Sequence, residues 1–205
     1  MIPAFGLRVS IMLDANGANT TAAAAVRAAG KHLPLRSIPA LVLGATGPVG
    51  QRVVRLLARQ GARIRVGSRQ AARAQAVCAA ITAKAPGAHL QPVATATPAE
   101  LSAALEGCTL VIAAGAASAV LLPKPARLAC KTLRVAVDLN AVPPLGIEGV
   151  AVADKAVEHD GAIGYGAIGV GDSKMKIHKA AIARLFERND QVLDAEEIFQ
   201  IAATV

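Results

Sequence analysis

Short runs of aliphatic and β-branched residues alternate with longer stretches whose apolar positions recur every three or four residues. Ala40–Gly44 reads as a buried strand, and Gln51–Gln60, with Val53, Val54, Leu57 and Ala58 on one face, as the helix after it. Arg63–Gly67 is the next expected strand, followed by an Ala-rich helix over Ala71–Ala83. Further strands are expected at Leu90–Ala94, Thr109–Ala114 and Arg134–Asp138, with helices at Pro98–Leu105 and Ala119–Lys131. Strand and helix in strict turn imply a parallel sheet covered on both faces.

Two segments lie outside that rhythm. Leu7–Leu13 reads as a strand that runs into the polar stretch 14–21, where Asn19 or Thr20 is a candidate N-cap for a helix over Thr21–Ala29. Near the other end, Ser173–Arg188 and Asp194–Ala203 read as closing helices, the second started by Asp194 with Glu196 and Glu197 in its first turn. The two prolines of Lys31–Pro39 suggest a boundary there, dividing the chain into residues 1–35 and 36–205. The expected fold class is therefore α/β: a Rossmann-like doubly wound parallel sheet with an N-terminal strand–helix appendage.

Composition narrows the picture. Of 205 residues, 54% are hydrophobic and 18% charged, which excludes a disordered chain. Aromatic residues are only 2% and there is no Trp, so Ala, Val, Leu and Ile must build the core. The net charge of +8 is scattered along the chain and comes without aromatic platforms for bases. It suits a multiply anionic small molecule better than nucleic acid. Three dispersed cysteines, with no CxxC and no Cys/His cluster, imply reduced core thiols and no metal site. The start, MIPAFGLRVSIML, is not a signal-peptide pattern, and the longest apolar run, Leu110–Pro123, is too short to span a bilayer. The expectation is a soluble cytoplasmic protein without membrane contact.

Chemistry concentrates where strands end. Gly44-Ala-Thr46-Gly47-Pro48-Val49-Gly50 follows an expected strand and opens an expected helix, the context of a dinucleotide-binding turn. Gly44 and Gly47 permit a tight turn and close approach of a pyrophosphate, Gly50 permits close helix–strand packing, and the helix beginning at Pro48 offers free N–H groups. The spacing is GxxGxxG rather than GxGxxG, and an ordinary strand-to-helix turn is the alternative. At the end of the next strand stands Gly67-Ser68-Arg69, with Arg73 one turn on. An NAD site places a carboxylate there, whereas Ser68 and a guanidinium suit a 2′-phosphate, so NADP is expected over NAD. Ala114, Gly115 and Ala116 are small residues over which a nicotinamide ribose fits. Asp138 and Asn140 fall beyond the last expected strand, either as cofactor contacts or as a capping Asp and a turn Asn. After the Gly-rich passage 164–171, Lys174 and Lys176 are candidates for an anionic group. His178 is a candidate proton shuttle, though a lone helical His is more often structural.

The stretches LDANGANTTAAAAV (13–26), GATGPVG (44–50), GSR (67–69), DLNAVPPLGIEG (138–149) and GAIGVGDSKMKIHKAAIARLFE (166–187) together resemble the methylene-tetrahydromethanopterin dehydrogenases of methylotrophic bacteria. The resemblance implies NADP-dependent hydride transfer from a methylene group on a pterin, in one-carbon metabolism and formaldehyde oxidation. It also implies that residues 1–35 are what remains of a larger pterin-binding domain plus its connecting helix, a layout resembling the two-domain shikimate and folate dehydrogenases. Asp14, Asn16, Asn19 and Thr20 would then line the substrate side, with Asp14, Asn16 and Lys174 as the candidate catalytic groups, positioning rather than proton-transferring. A strand left without its sheet would pair with another chain or pack on its own domain, which favours a homo-oligomer. The alternative function is an NADP-binding module with no catalysis of its own. A dehydrogenase for shikimate-like acids is a third reading, which the whole-chain motifs oppose.

Overall fold

The computed structural model describes residues 9–205. Seven of its nine strands form one sheet in the order β4-β3-β2-β5-β6-β8-β7. These are β2 (Pro39–Leu43), β3 (Arg63–Ser68), β4 (His89–Ala94), β5 (Leu110–Ala113), β6 (Val135–Asp138), β7 (Lys155–His159) and β8 (Ala162–Tyr165). All neighbours pair in parallel except β7, which runs antiparallel to β8 at the edge. The chain winds outward from β2 through β3 to β4, then returns to β5 on the other side. That reversal makes a topological switch point between β2 and β5.

The period-two pattern of the strands sorts their side chains onto two faces. Ala40 and Val42 enter one core cluster, together with Val53, Val54 and Leu57 of α2 (Pro48–Arg59) and Ala22–Val26 of α1 (Ala18–Gly30). Leu41 and Leu43 enter the other, with Leu101, Ala104 and Leu105 of α4 (Pro98–Leu105). α3 (Ala71–Thr82) packs on β3 and β4, and α6 (Ala167–Leu185) packs on α1. Thr97 and Glu100 form a capping box that fixes the start of α4.

Several expectations need correction. The helix expected at Ala119–Lys131 is only α5, Lys124–Ala129. Pro123 and Pro125 lie at its start, and a proline interrupts any helix arriving from upstream by removing an N–H and crowding the preceding residue. Neither Asn19 nor Thr20 caps α1, because both are buried within its first turn. The Asp14 carboxylate does that work, accepting the N–H groups of Asn19 at 2.8 Å and Thr20 at 3.0 Å. The helix expected from Ser173 begins six residues earlier, at Ala167, and Gly169 lies inside it. A side chain on Gly169 would collide with the carbonyl of Asp154, so that glycine marks a close contact and not a break. The hairpin β7–β8 was not expected at all, since four of the five residues of β7 are exposed and carry no apolar alternation.

The N-terminal strand is described only from Val9, and residues 7 and 8 of the expected strand lie outside the described residues. Within the described residues it forms β1 (Ile11–Met12), which pairs in parallel with β9 (Val192–Leu193), just before α7 (Ala195–Ile201). Among the described residues, no helix is long and apolar enough to cross a membrane, and no cluster of His, Cys, Asp or Glu could hold a metal ion.

Candidate nucleotide-binding site

The switch point is where Gly44–Gly50 lies. Gly44 adopts φ +66°, a left-handed conformation that favours glycine, and a Cβ there would sit 2.6 Å from the Gly115 nitrogen. A Cβ on Gly50 would sit 2.5 Å from the Gly44 carbonyl oxygen. The turn is closed by Gly47 N–H donating to the Gly44 carbonyl at 3.2 Å, and is tied to β3 by Ala45 N–H donating to the Gly67 carbonyl at 3.1 Å. Gly47 caps α2 with no side chain of its own and Pro48 takes the first helical position, so the first-turn N–H groups have no side-chain cap. Thr46, Gly47 and Val49 are half-buried and Pro48 is exposed. Two loops of small residues, 44–50 and 114–116, thus abut at the carboxyl ends of β2 and β5. Glycine backbone meets there at the uncapped start of α2, as a pyrophosphate on a helix N-terminus requires, and the residues present fit a dinucleotide.

Ser68 is buried at the end of β3, its Oγ accepting the Gln70 N–H at 3.2 Å, while Arg69 and Arg73 are exposed beside it. No carboxylate stands among these three positions. Ala114 and Gly115 are half-buried and Ala116 exposed, with Leu121 packed over Gly115.

Asp138 and Asn140 belong to the same rim in a supporting capacity. Asp138 is 1% exposed, and its two carboxylate oxygens accept the N–H groups of Asn140 (3.0 Å) and Ile147 (2.9 Å). Burial pushes its pKa above the ordinary value, against the pull of N–H donors from Asn140, Ile147 and Gly146. Asn140 donates to the Pro144 carbonyl and accepts from Val142 N–H, both at 3.0 Å, so the two side chains hold the 139–147 loop.

The proposed substrate-side residues converge at a second corner. Asp14 bonds the start of α1, accepts the Thr20 hydroxyl at 2.8 Å and lies 3.4 Å from His178 Nδ1 on α6. Asn16 is exposed at φ 53°. The Lys174 ammonium covers Gly17 so closely that a Cβ there would be 2.8 Å from Nζ, whereas Lys176 points to an exposed face. Asp14, Gly17, Lys174 and His178 are thereby gathered from distant segments, Asp14 and His178 lying 164 residues apart in sequence. Reading the chain missed Arg52, the link between the two corners: its Nε donates to Asn19 Oδ1, and its Nη1 to the Pro48 carbonyl at 2.8 Å. Its spacing four residues after Pro48 was the available signal.

The sheet order and the glycine turn at its switch point place the chain among the NAD(P)-binding proteins with a Rossmann-type fold. It belongs to the NAD(P)H-binding family, which matches residues 44–175, the span from the glycine turn into α6. It is 41% identical over 199 residues to the bifunctional protein MdtA of Methylorubrum extorquens, covering 95% of this chain and 68% of that protein. Among solved structures, a transhydrogenase from Sinorhizobium meliloti superposes with a TM-score of 0.58 at 19% identity, over 85% of this chain and 57% of that one. Quinate dehydrogenase from Corynebacterium glutamicum in complex with NAD gives a TM-score of 0.55 at 19% identity, over 91% and 62%. This chain therefore spans less than two thirds of either solved chain, and those two likenesses concern the fold.

Proposed function

We propose that the chain binds NADP at Gly44–Gly50 and serves NADP-dependent oxidation of methylene-tetrahydromethanopterin to the methenyl level in one-carbon metabolism. The observation that carries the nucleotide part is the glycine turn pressed against Gly115, with carboxylate-free Ser68, Arg69 and Arg73 beside it. The whole-chain likeness to bifunctional protein MdtA and the motif stretches 13–26, 138–149 and 166–187 support the pterin part.

A bound nicotinamide supplies the hydride-accepting ring. The chain's own part is placement. The N–H groups at the start of α2 hold a pyrophosphate, and Arg69 and Arg73 meet the 2′-phosphate with charge-assisted hydrogen bonds. Asp14, through the cap of α1, and Lys174, through its seat on Gly17, hold the substrate-side corner, with Asn16 exposed to a ligand. Hydride leaves the methylene carbon directly and the pterin nitrogens carry the resulting cation, so orientation matters more than a general base.

Calorimetric titration of the purified chain with NADP and with NAD, followed by a hydride-transfer assay on the methylene-pterin, tests both parts. NADP should bind more tightly than NAD, and Arg69→Ala should weaken NADP by about tenfold with little effect on NAD. Equal affinities unmoved by Ser68 and Arg69 substitutions would remove the 2′-phosphate reading. Tight NADP binding without turnover would leave a nucleotide-binding module.

A further inference from the structure

The first turn of α2 holds no acidic residue, although a helix N-terminus favours negative charge and disfavours positive charge. Arg52, in the second turn, nevertheless folds back along that end. Its Nη1 donates to the Pro48 carbonyl at 2.8 Å and its Nε to Asn19 Oδ1, both neutral acceptors. Gln51 beside it folds the same way, its Nε2 donating to the Thr46 carbonyl at 2.8 Å. Arg55, three residues on, shows the ordinary arrangement, with its guanidinium on the carboxylates of Asp194 and Glu196. Asp14 and Asp194 reach Arg52 only through Asn19, and each is already engaged, Asp14 by the N–H groups of Asn19 and Thr20 and Asp194 by Arg55. The half-buried Arg52 thus holds a positive charge without a carboxylate partner, beside the positive end of a helix dipole. Local electrostatics alone do not favour that arrangement, and such conflicts with local preference concentrate at functional sites. Of a guanidinium's five N–H groups, one on Nε and one on Nη1 are in use, and among the described residues the Nη2 edge has no partner.

We propose that Arg52 is a pyrophosphate-binding residue of the nucleotide site. A diphosphate seated at the start of α2 supplies the anion that Arg52 lacks within the chain. The N–H groups there offer only a partial positive charge, equivalent to about half an elementary charge, whereas Arg52 brings a full one to a group that carries two negative charges. Asn19 and the Pro48 carbonyl fix Nε and Nη1, so the free edge is held in place before a ligand arrives and little side-chain freedom is lost on binding. That edge donates to phosphate oxygens through charge-assisted hydrogen bonds, in the planar geometry that suits arginine to phosphate. The inference rests on the nucleotide reading. It adds a residue that the glycine pattern does not contain, at the opposite end of the cofactor from the 2′-phosphate assigned to Arg69 and Arg73.

Calorimetric titration of the intact chain with NADP and, by competition, with adenosine 2′-monophosphate tests it, because the second ligand has the 2′-phosphate and no pyrophosphate. Arg52→Gln should weaken NADP by about tenfold and leave adenosine 2′-monophosphate within about twofold of the parent, whereas Arg69→Ala should weaken both. Arg52→Lys keeps the charge and should bind NADP at least about threefold more tightly than Arg52→Gln. The Tm of unliganded Arg52→Gln should stay within about 3 °C of the parent's. An NADP affinity unmoved by Arg52→Gln overturns the proposal, and a lower Tm with that affinity unmoved makes Arg52 only a tie between α1 and α2. An equal loss for both ligands overturns it too, since the effect would not then belong to the pyrophosphate. A parent chain that binds neither ligand overturns the nucleotide reading and this inference with it, a result distinct from a parent that binds NADP regardless of residue 52.

Discussion

A methyl group at Gly44 would have to share space with the backbone of Gly115, in a left-handed conformation that alanine resists. Gly44→Ala combines strain with overpacking, and we expect a cost of about 2–4 kcal/mol together with loss of NADP binding. Thermal unfolding and nucleotide titration of the variant check both. Asp138 makes a second prediction at this scale. Each carboxylate oxygen serves a different backbone N–H, so Asp138→Asn turns an NH2 group toward one of them and should destabilise by about 1–3 kcal/mol. The pH dependence runs opposite to the usual carboxylate case. Burial raises the folded pKa above the ordinary 3.8, so the contribution is complete below that value and is lost as pH rises through the folded pKa. The wild-type minus Asn difference in urea-unfolding free energy should therefore shrink from pH 3.5 to pH 6.

At the scale of elements, α7 shows how a terminal helix is fastened. Asp194 caps it through the N–H of Glu197 while Glu197 accepts the Asp194 N–H at 3.0 Å. Arg55 of α2 reaches across to Asp194 at 2.8 Å and bonds both oxygens of Glu196, and Asn19 of α1 donates to Asp194 at 3.0 Å. One carboxylate so joins three helices. Burial acts to raise the Asp194 pKa, but the donors from Arg55, Asn19 and Ala195 together outweigh it and hold it below 3.8. Its stabilisation is present above 3.8 and disappears as pH falls through the folded value. Asp194→Asn should thus cost about 1–2 kcal/mol at neutral pH and progressively less as pH falls below 3.8 through the folded pKa, by chemical denaturation across the acid range. Asp194 and its acidic first turn were legible in the chain, because capping is local. Arg55 was not, because its partners lie 139 and 141 residues away.

At the scale of the whole molecule, binding at the switch point must stabilise the fold by linkage. NADP at a hundred times its Kd should add about 2.7 kcal/mol to unfolding, seen as a rise in Tm that Gly44→Ala abolishes. NAD at the same concentration should give a smaller rise.

What the amino-acid order determined by itself depends on near neighbours: the strand–helix alternation, the start of α7 at Asp194, the glycine turn, and the residue types beside Ser68. These follow from side-chain period, backbone restriction and local hydrogen bonding, which need no knowledge of the rest of the fold. Only the tertiary structure decided that Gly169 belongs inside a helix, that β7 and β8 extend the sheet, and that β1 joins β9. It also assigned the Asp138 carboxylate to backbone donors and gathered Asp14, Lys174 and His178 at one corner. Apart from the Asp138 donors, which lie two and nine residues on, those outcomes depend on contacts between segments distant in sequence, where close approach or an available partner overrides local preference.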